Sequence, residues 1–360
     1  MTEQTKILTC DGGGIRGLLT TIILESLETE IKAINTDASI SSCFDMFAGT
    51  STGSIIACGL SNGMSPASIR EFYIKTGAKI FPKMGGSFWV TSLVKRLQNL
   101  RLSSPLFDPA GLESVLTSET VFPPNLLLGD LPKETLCVSY DTYNRKAVVF
   151  KSKDSKCSQV PVWQVCRASS AAPAAYPGYL LSEPHFLKDH QSGGKAEGDL
   201  DRQIPQDGLP LIDGGILANN PVLCAIAEKI NYYSKQNPAA QENPLQKILV
   251  ASFGTGQSGR RITPDNVRNW GALAWSELPR GIPLFQVCAD GSADSIDFIA
   301  SSLLRDNYQR FQPVYSEITS VFQADDDNLD KITKTAETYL RDPHNRQRLQ
   351  NLAQLVTTKG

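Results

Sequence analysis

Residues 6–17, KILTCDGGGIRG, set three consecutive glycines between a short apolar run and a helical pattern. Lys6–Cys10 reads as a strand, and Leu18, Ile22, Ile23, Leu27 and Ile31 recur at helical spacing from Ile15 to about Ile34, giving a strand–turn–helix unit. The glycine turn has two readings. Gly12, Gly14 and Gly17 spell G-x-G-x-x-G, with Asp37 about 20 residues further on, which is the pattern of a dinucleotide phosphate cradle. Amides at such a turn also donate to the negative oxygen that develops when an ester carbonyl is attacked. A dinucleotide site needs its acid at the end of the second strand. Asp37 instead lies in the polar stretch INTDASIS, and Asp45 begins the next strand.

That next strand, FDMFAG, runs into GTSTG at residues 49–53 and then into the small-residue helix pattern SIIACGL. G-x-S-x-G lets a strand turn sharply into a helix with the serine hydroxyl exposed at the turn, Gly49 and Gly53 supplying the room. Ser51 is therefore the candidate nucleophile, against the plainer reading of a helix-capping serine. A Ser/His/Asp triad would draw on His185, His190 or His344. The first two sit in a polar excursion and the third in RDPHNRQRL between polar helices, so none is a strong base candidate. Asp213 in LIDGGILANNP is better placed: an apolar strand delivers the carboxylate at its end, and Gly214 and Gly215 open the backbone beside it. Aspartate before glycine is also a common plain turn.

Further along, 66–80 reads as a helix opened by Pro66 and 109–118 as a short one, while TLCVSYD and KAVVF read as strands of a hairpin. PVWQVCRASSAAPAAYP is expected to be a helix running into an irregular loop, and residues 182–208 an aperiodic surface excursion. PLIDGG and KILVASFGTG add strands; helices are expected near 221–233, 283–304, 329–341 and 345–356. Apolar strands alternating with helices predict an α/β fold, a three-layer α/β/α arrangement around a mostly parallel central sheet. Residues 1–314 are expected to form the main domain and 315–360 a helical tail packed on it or extending it.

With 41% apolar residues over 360 positions the chain can bury a sizeable core, and its net charge of −2 offers no global field for nucleic acid. No apolar stretch is long enough for a signal sequence or a membrane span. Eight cysteines without C-x-x-C spacing point to buried free thiols in a reducing, cytoplasmic setting. No metal is expected, since the histidines do not cluster and DDDN at 325–328 lacks the glycine and distal glutamate of a calcium loop. Between Phe72 and Phe107 there are six basic residues (Lys75, Lys79, Lys83, Lys95, Arg96, Arg101) and no acid. With Phe88 and Trp89 in the same stretch, this predicts a transient contact with an anionic membrane surface, at roughly 1 kcal/mol per cation; an ordinary helix with a solvated basic face is the alternative.

DGGGIRG, GTSTG and DGG, in that order, together with ASSAAPAAYP at 168–177, ANNP at 218–221 and DNYQRFQP at 306–313, resemble the patatin-like phospholipase family, from Ile7 to about Pro313. Ser54 stands where many relatives have glycine or alanine. The resemblance implies a patatin-like fold and a bacterial lipid acyl hydrolase of phospholipase A or lysophospholipase type, a serine esterase without cofactor. It further implies a dyad of Ser51 and Asp213 and an oxyanion hole at Gly12, Gly13 and Gly14. Arg16, beside the turn, either stabilises the loop or attracts an anionic head group. The expected partners are acyl lipids and a membrane surface, with no nucleic acid. Alternatives are an effector of low basal activity awakened by a ligand or partner, and acyl transfer from the same acyl-enzyme.

Overall fold

The computed structural model describes residues 4–82, 105–192, 205–236, 243–257, 261–275 and 283–358. Its strands are β1 (Thr5–Cys10), β2 (Met46–Thr50), β3 (Glu134–Asp141), β4 (Lys146–Lys151), β5 (Tyr179–Leu181), β6 (Leu209–Asp213), β7 (Ile248–Phe253) and β8 (Tyr308–Phe311). They join one sheet in the order β5-β6-β3-β2-β1-β7-β8, with β4 also on β3. The pairs β1–β2, β1–β7, β2–β3 and β7–β8 are parallel, whereas β3–β4, β3–β6 and β5–β6 are antiparallel.

The strand period sorts the core into two layers. Leu8, Phe47, Cys137 and Ala251 face one side, where they pack with α1 (Gly17–Ile34), α3 (Thr52–Ser61) and α4 (Pro66–Ile80); the short α2 (Ile40–Cys43) lies between α1 and β2. Ile7, Met46, Val138 and Val250 face the other, against the helices Val222–Gln236 and Pro283–Leu304. Both faces of the sheet are thus covered, and central strands such as β2 and β7 are buried along their whole length.

One junction in the sheet brings distant parts of the chain together. β4 occupies one edge of β3 along Leu136–Asp141, so β2 and β6 must share the other. They enter it from opposite ends: Thr50, the last residue of β2, pairs with Val138, and Asp213, the last of β6, pairs with Ser139. The carboxyl ends of two strands distant in sequence therefore meet tip to tip.

Local chemistry accounts for the helix starts. Ser65 accepts from the Ser68 amide with Pro66 at the first helical position, and Asp325 accepts from the Asn328 amide at 3.0 Å. The helices Asp326–Arg341 and Pro343–Thr357 lie on α1, and their Ile332, Ala336, Leu349 and Leu352 belong to the same core cluster as α1. The surface excursion at 182–208 carries a helix that its pattern does not show, Pro184–Ser192. The helix is held by the buried Phe186, whose ring lies 5.4 Å from that of Phe150, and by Leu187, packed on the same core, so tertiary packing supplies what periodicity does not. Replacing Leu352, fully buried under α1, with alanine is expected to lower stability to unfolding by about 2–5 kcal/mol; a loss under about 0.5 kcal/mol in denaturant titration would show that the last helix is not part of the core.

Candidate active site

Ser51 stands between β2 and α3 with φ 55° and ψ −126°, a left-handed backbone setting that an L-residue keeps only when its surroundings impose it. Close approach of main chain is what imposes it. A Cβ on Gly49 would come within 2.1 Å of the Gly53 carbonyl oxygen, and one on Gly53 within 2.1 Å of the Cys10 carbonyl oxygen. Only glycines allow α3 to begin hard against the ends of β1 and β2. The Ser51 amide donates to Ser169 Oγ at 2.9 Å, and that hydroxyl donates to the Val138 carbonyl at 2.6 Å, tying the turn to β3. Ser54 Oγ donates to the Ser51 carbonyl at 2.6 Å.

From this turn Ser51 Oγ donates to Asp213 Oδ2 at 2.6 Å, the contact made by the meeting of β2 with β6. The other carboxylate oxygen accepts the Gly215 amide at 2.7 Å. Asp213 is 1% exposed. Burial pushes its pKa up to about 6, and the hydrogen bonds from Ser51 and Gly215 only partly offset that. Gly214 is needed because a Cβ there would lie 2.3 Å from the Val138 carbonyl oxygen.

On the opposite side of Ser51 the glycine turn follows β1. The Gly12 amide is committed, donating to the Asn219 carbonyl at 3.1 Å, while the Gly12 carbonyl accepts from Thr255 Oγ1 at 2.8 Å. The amides of Gly13 and Gly14 have no acceptor among the described residues, and both glycines line the cavity that holds Ser51 and Asp213. A cavity flanked by two free amides and a serine on a carboxylate can take a polarised carbonyl.

The sequence model of the patatin-like phospholipases matches residues 8–226. The chain belongs to the patatin-like phospholipase family. Over its length this patatin-like chain is 29% identical to patatin-like protein 2 of Arabidopsis thaliana, with 94% of this chain and 83% of the relative covered. It is also 29% identical to patatin-like protein 3 of the same plant, with 91% and 75% covered. Among solved structures, human GIVD cytosolic phospholipase A2 matches 98% of this chain and 60% of its own at 11% identity, with a TM-score of 0.40. Both of the Arabidopsis relatives are plant proteins and lend the expected bacterial branch no support.

Two charged residues that the sequence pattern left without a role anchor the patatin-like turn. Asp11, at the start of the glycine turn and 1% exposed, takes a two-pronged bond from Arg310 on β8, Nη1 to Oδ1 at 2.9 Å and Nη2 to Oδ2 at 2.5 Å, and Nη1 also reaches Ser252 Oγ at 2.8 Å. The only hint was the arginine inside DNYQRFQP. Arg16 is buried too: its Nη2 donates to the Thr319 carbonyl at 2.6 Å and its guanidinium lies 5.0 Å from the centre of the Tyr315 ring. That places it as a brace between the turn and the loop after β8.

The cavity measures about 290 Å³. Ile55, Tyr73, Ile80, Phe81, Leu112 and Tyr176 line it together with the polar Gln257, Gln286, Asp290 and Asp294. His185 and His344 are exposed and off the cavity wall, and the His190 side chain lies outside the described residues. Asp37 is exposed, and Asp45 accepts the Lys6 amide at the far end of β1, so neither is near the glycine turn. No cluster of His, Cys, Asp or Glu arranged to hold a metal occurs among the described residues.

The buried charges set how stability responds to pH and to mutation. A carboxyl whose folded pKa of about 6 exceeds its unfolded value of about 3.9 binds its proton more tightly in the folded state. That stabilisation is complete below about pH 4 and is lost as pH rises through 6. Relative to Asp213→Asn, wild type is expected to lose about 2 kcal/mol between pH 4 and 7, read from paired denaturant titrations; a flat difference would assign Asp213 an ordinary pKa. Arg310→Ala, which strands Asp11 as a buried unpaired charge, is expected to lower stability by about 3–5 kcal/mol in the same measurement.

Proposed function

We propose that the protein hydrolyses fatty-acyl esters of phospholipids or lysophospholipids, with Ser51 as nucleophile and Asp213 as base. The observation that carries this is the 2.6 Å bond from Ser51 Oγ to the buried Asp213 carboxylate, set opposite two free glycine amides. As the Ser51 oxygen attacks the ester carbonyl, its proton passes to Asp213 Oδ2. The carbonyl oxygen becomes an oxyanion and takes the amides of Gly13 and Gly14; Gly12, its amide already donating to Asn219, supports the turn from behind. Each such donor is worth roughly 3–4 kcal/mol of transition-state stabilisation. Collapse returns the proton to the departing alcohol and leaves an acyl-enzyme; water, deprotonated by Asp213, then releases the fatty acid and restores Ser51.

A carboxylate of ordinary pKa is a weak base, and a value near 6 brings Asp213 closer to the operating pH. The aromatic and aliphatic side chains that line the cavity suit an acyl chain, and its polar lining a head group. Family membership supports the lipid class of substrate. No described helix is long and apolar enough to cross a membrane. We assign contact with the lipid surface to the basic stretch after Phe72 and place the protein in the cytoplasm, peripheral to the membrane. Lys75 and Lys79 of that stretch are exposed on α4, Lys75 pairing with Glu71, whereas Lys83, Lys95, Arg96 and Arg101 lie outside the described residues.

Fatty-acid release from phospholipid vesicles and from a short soluble ester is the direct test. Wild type is expected to release product from both, and Ser51→Ala or Asp213→Asn to reduce kcat/KM at least about 10³-fold. Below about pH 6, wild-type kcat/KM should fall tenfold per unit as Asp213 takes up its proton. A folded wild type without activity, or a Ser51→Ala variant that keeps it, would overturn the assignment.

A further inference from the structure

Ser169 and Ser170 are adjacent in ASSAAPAAYP, yet their hydroxyls have opposite fates. Ser169 Oγ is saturated, accepting from the Ser51 amide and donating to Val138. Ser170 is 8% exposed, its Oγ has no hydrogen-bond partner among the described residues, and the residue lines the cavity of the dyad. A buried hydroxyl without a partner is unfavourable, and folded proteins rarely keep one without a use. Other buried orphan atoms, those of Thr9, Arg70 and Thr319 among them, belong to residues away from the cavity wall; Arg16, whose Nε is such an atom, is already held through its Nη2.

Backbone hydrogen bonds set Ser170 beside the end of β6. Residues 169–171 run alongside the end of β6, the Asp213 amide donating to the Ala171 carbonyl at 3.0 Å and the Gly214 amide to the Ser169 carbonyl at 3.3 Å. In the sheet β1 lies on the opposite side of β2 from β3 and its edge partner β6. A tetrahedral intermediate on Ser51 therefore has its oxyanion on the β1 side, at Gly13 and Gly14. Its alcohol oxygen lies on the β6 side, where Asp213 must return the proton.

We infer that Ser170 contacts the substrate, its Oγ–H donating a hydrogen bond to the ester's leaving oxygen; this rests on the hydrolase reading of the Ser51–Asp213 site. When the intermediate collapses, the bond between the acyl carbon and the alcohol oxygen breaks and its electron pair goes to that oxygen. The proton held by Asp213 Oδ2 moves to the same oxygen, and the acyl carbon stays on Ser51. Ser170 loses no proton. It holds part of the developing negative charge until transfer from Asp213 is complete.

The test compares two esters of one short acyl chain, an alkyl glycerol ester and a p-nitrophenyl ester, whose phenolate departs without assistance. Because kcat/KM reports only steps through acylation, Ser170→Ala is expected to lower it about 10- to 100-fold for the glycerol ester and less than about threefold for the p-nitrophenyl ester. Ser170→Thr should restore most of the loss, and the melting temperature of Ser170→Ala should stay level or rise. Equal losses on both esters, or none on either, would overturn the inference while leaving Ser51-dependent hydrolysis intact. Absence of turnover of both esters by wild type would overturn the hydrolase reading and this inference together.

Discussion

The site depends on a constraint of strand pairing more than on any one side chain. A strand has two edges, and β4 takes one edge of β3 over the stretch that β2 and β6 also pair with. The two are forced onto the remaining edge from opposite directions, with no room to pass each other. Their last residues, Thr50 and Asp213, become neighbours through Val138 and Ser139. Ser51 and Asp213 are 162 residues apart in the chain. Their hydrogen bond needs no long loop to bend into place, because the hydrogen-bond ladder of β3 already sets its length.

Around that junction the backbone is held where its own preferences would not keep it. The positive φ of Ser51 is maintained by glycines that let α3 approach β1 and β2, by Ser169 below and by Ser54 within the helix. The glycine turn is pinned by Asn219 and Thr255, and its leading aspartate by Arg310. In the proposed reaction such a frame would do its electrostatic work before any ligand arrives, since donors fixed in place need no reorganisation when charge develops. The same enclosure raises the pKa of Asp213, so burial that opposes folding at neutral pH would support the basicity proposed for it.

Much of this was legible in the chain and some was not, for physical reasons. Ser51 stands out as a candidate because a sharp strand-to-helix turn demands glycines at fixed spacing; Asp213 stands out less, because an apolar strand ending in D-G-G is also a plain turn, and only the pairing of β2 and β6 on β3 brings the two together. Period and composition separate buried strands from amphipathic helices well enough to predict two covered sheet faces. What local pattern cannot carry is edge sharing on β3, or the loss of the Gly12 amide to Asn219, since both join segments far apart in the chain. Arg310 escaped because its strand, YQRF, is four residues long and carries a charge where buried strands usually carry none. The helix Pro184–Ser192 escaped because the adjacent Phe186 and Leu187, and no periodic apolar face, anchor it.

The place of β1 in the middle of the sheet also bears on how the chain is made. Its neighbour β2 ends at Thr50, yet its other neighbour, β7, begins only at Ile248. At a synthesis rate of about 5–20 residues per second, the apolar run from Ile7 to Cys10 waits roughly 10–50 s for its second partner. A strand this early, this apolar and this late to be covered makes the fold one of high contact order. Its weakest moment is on the ribosome, before the residues that close the sheet have been added.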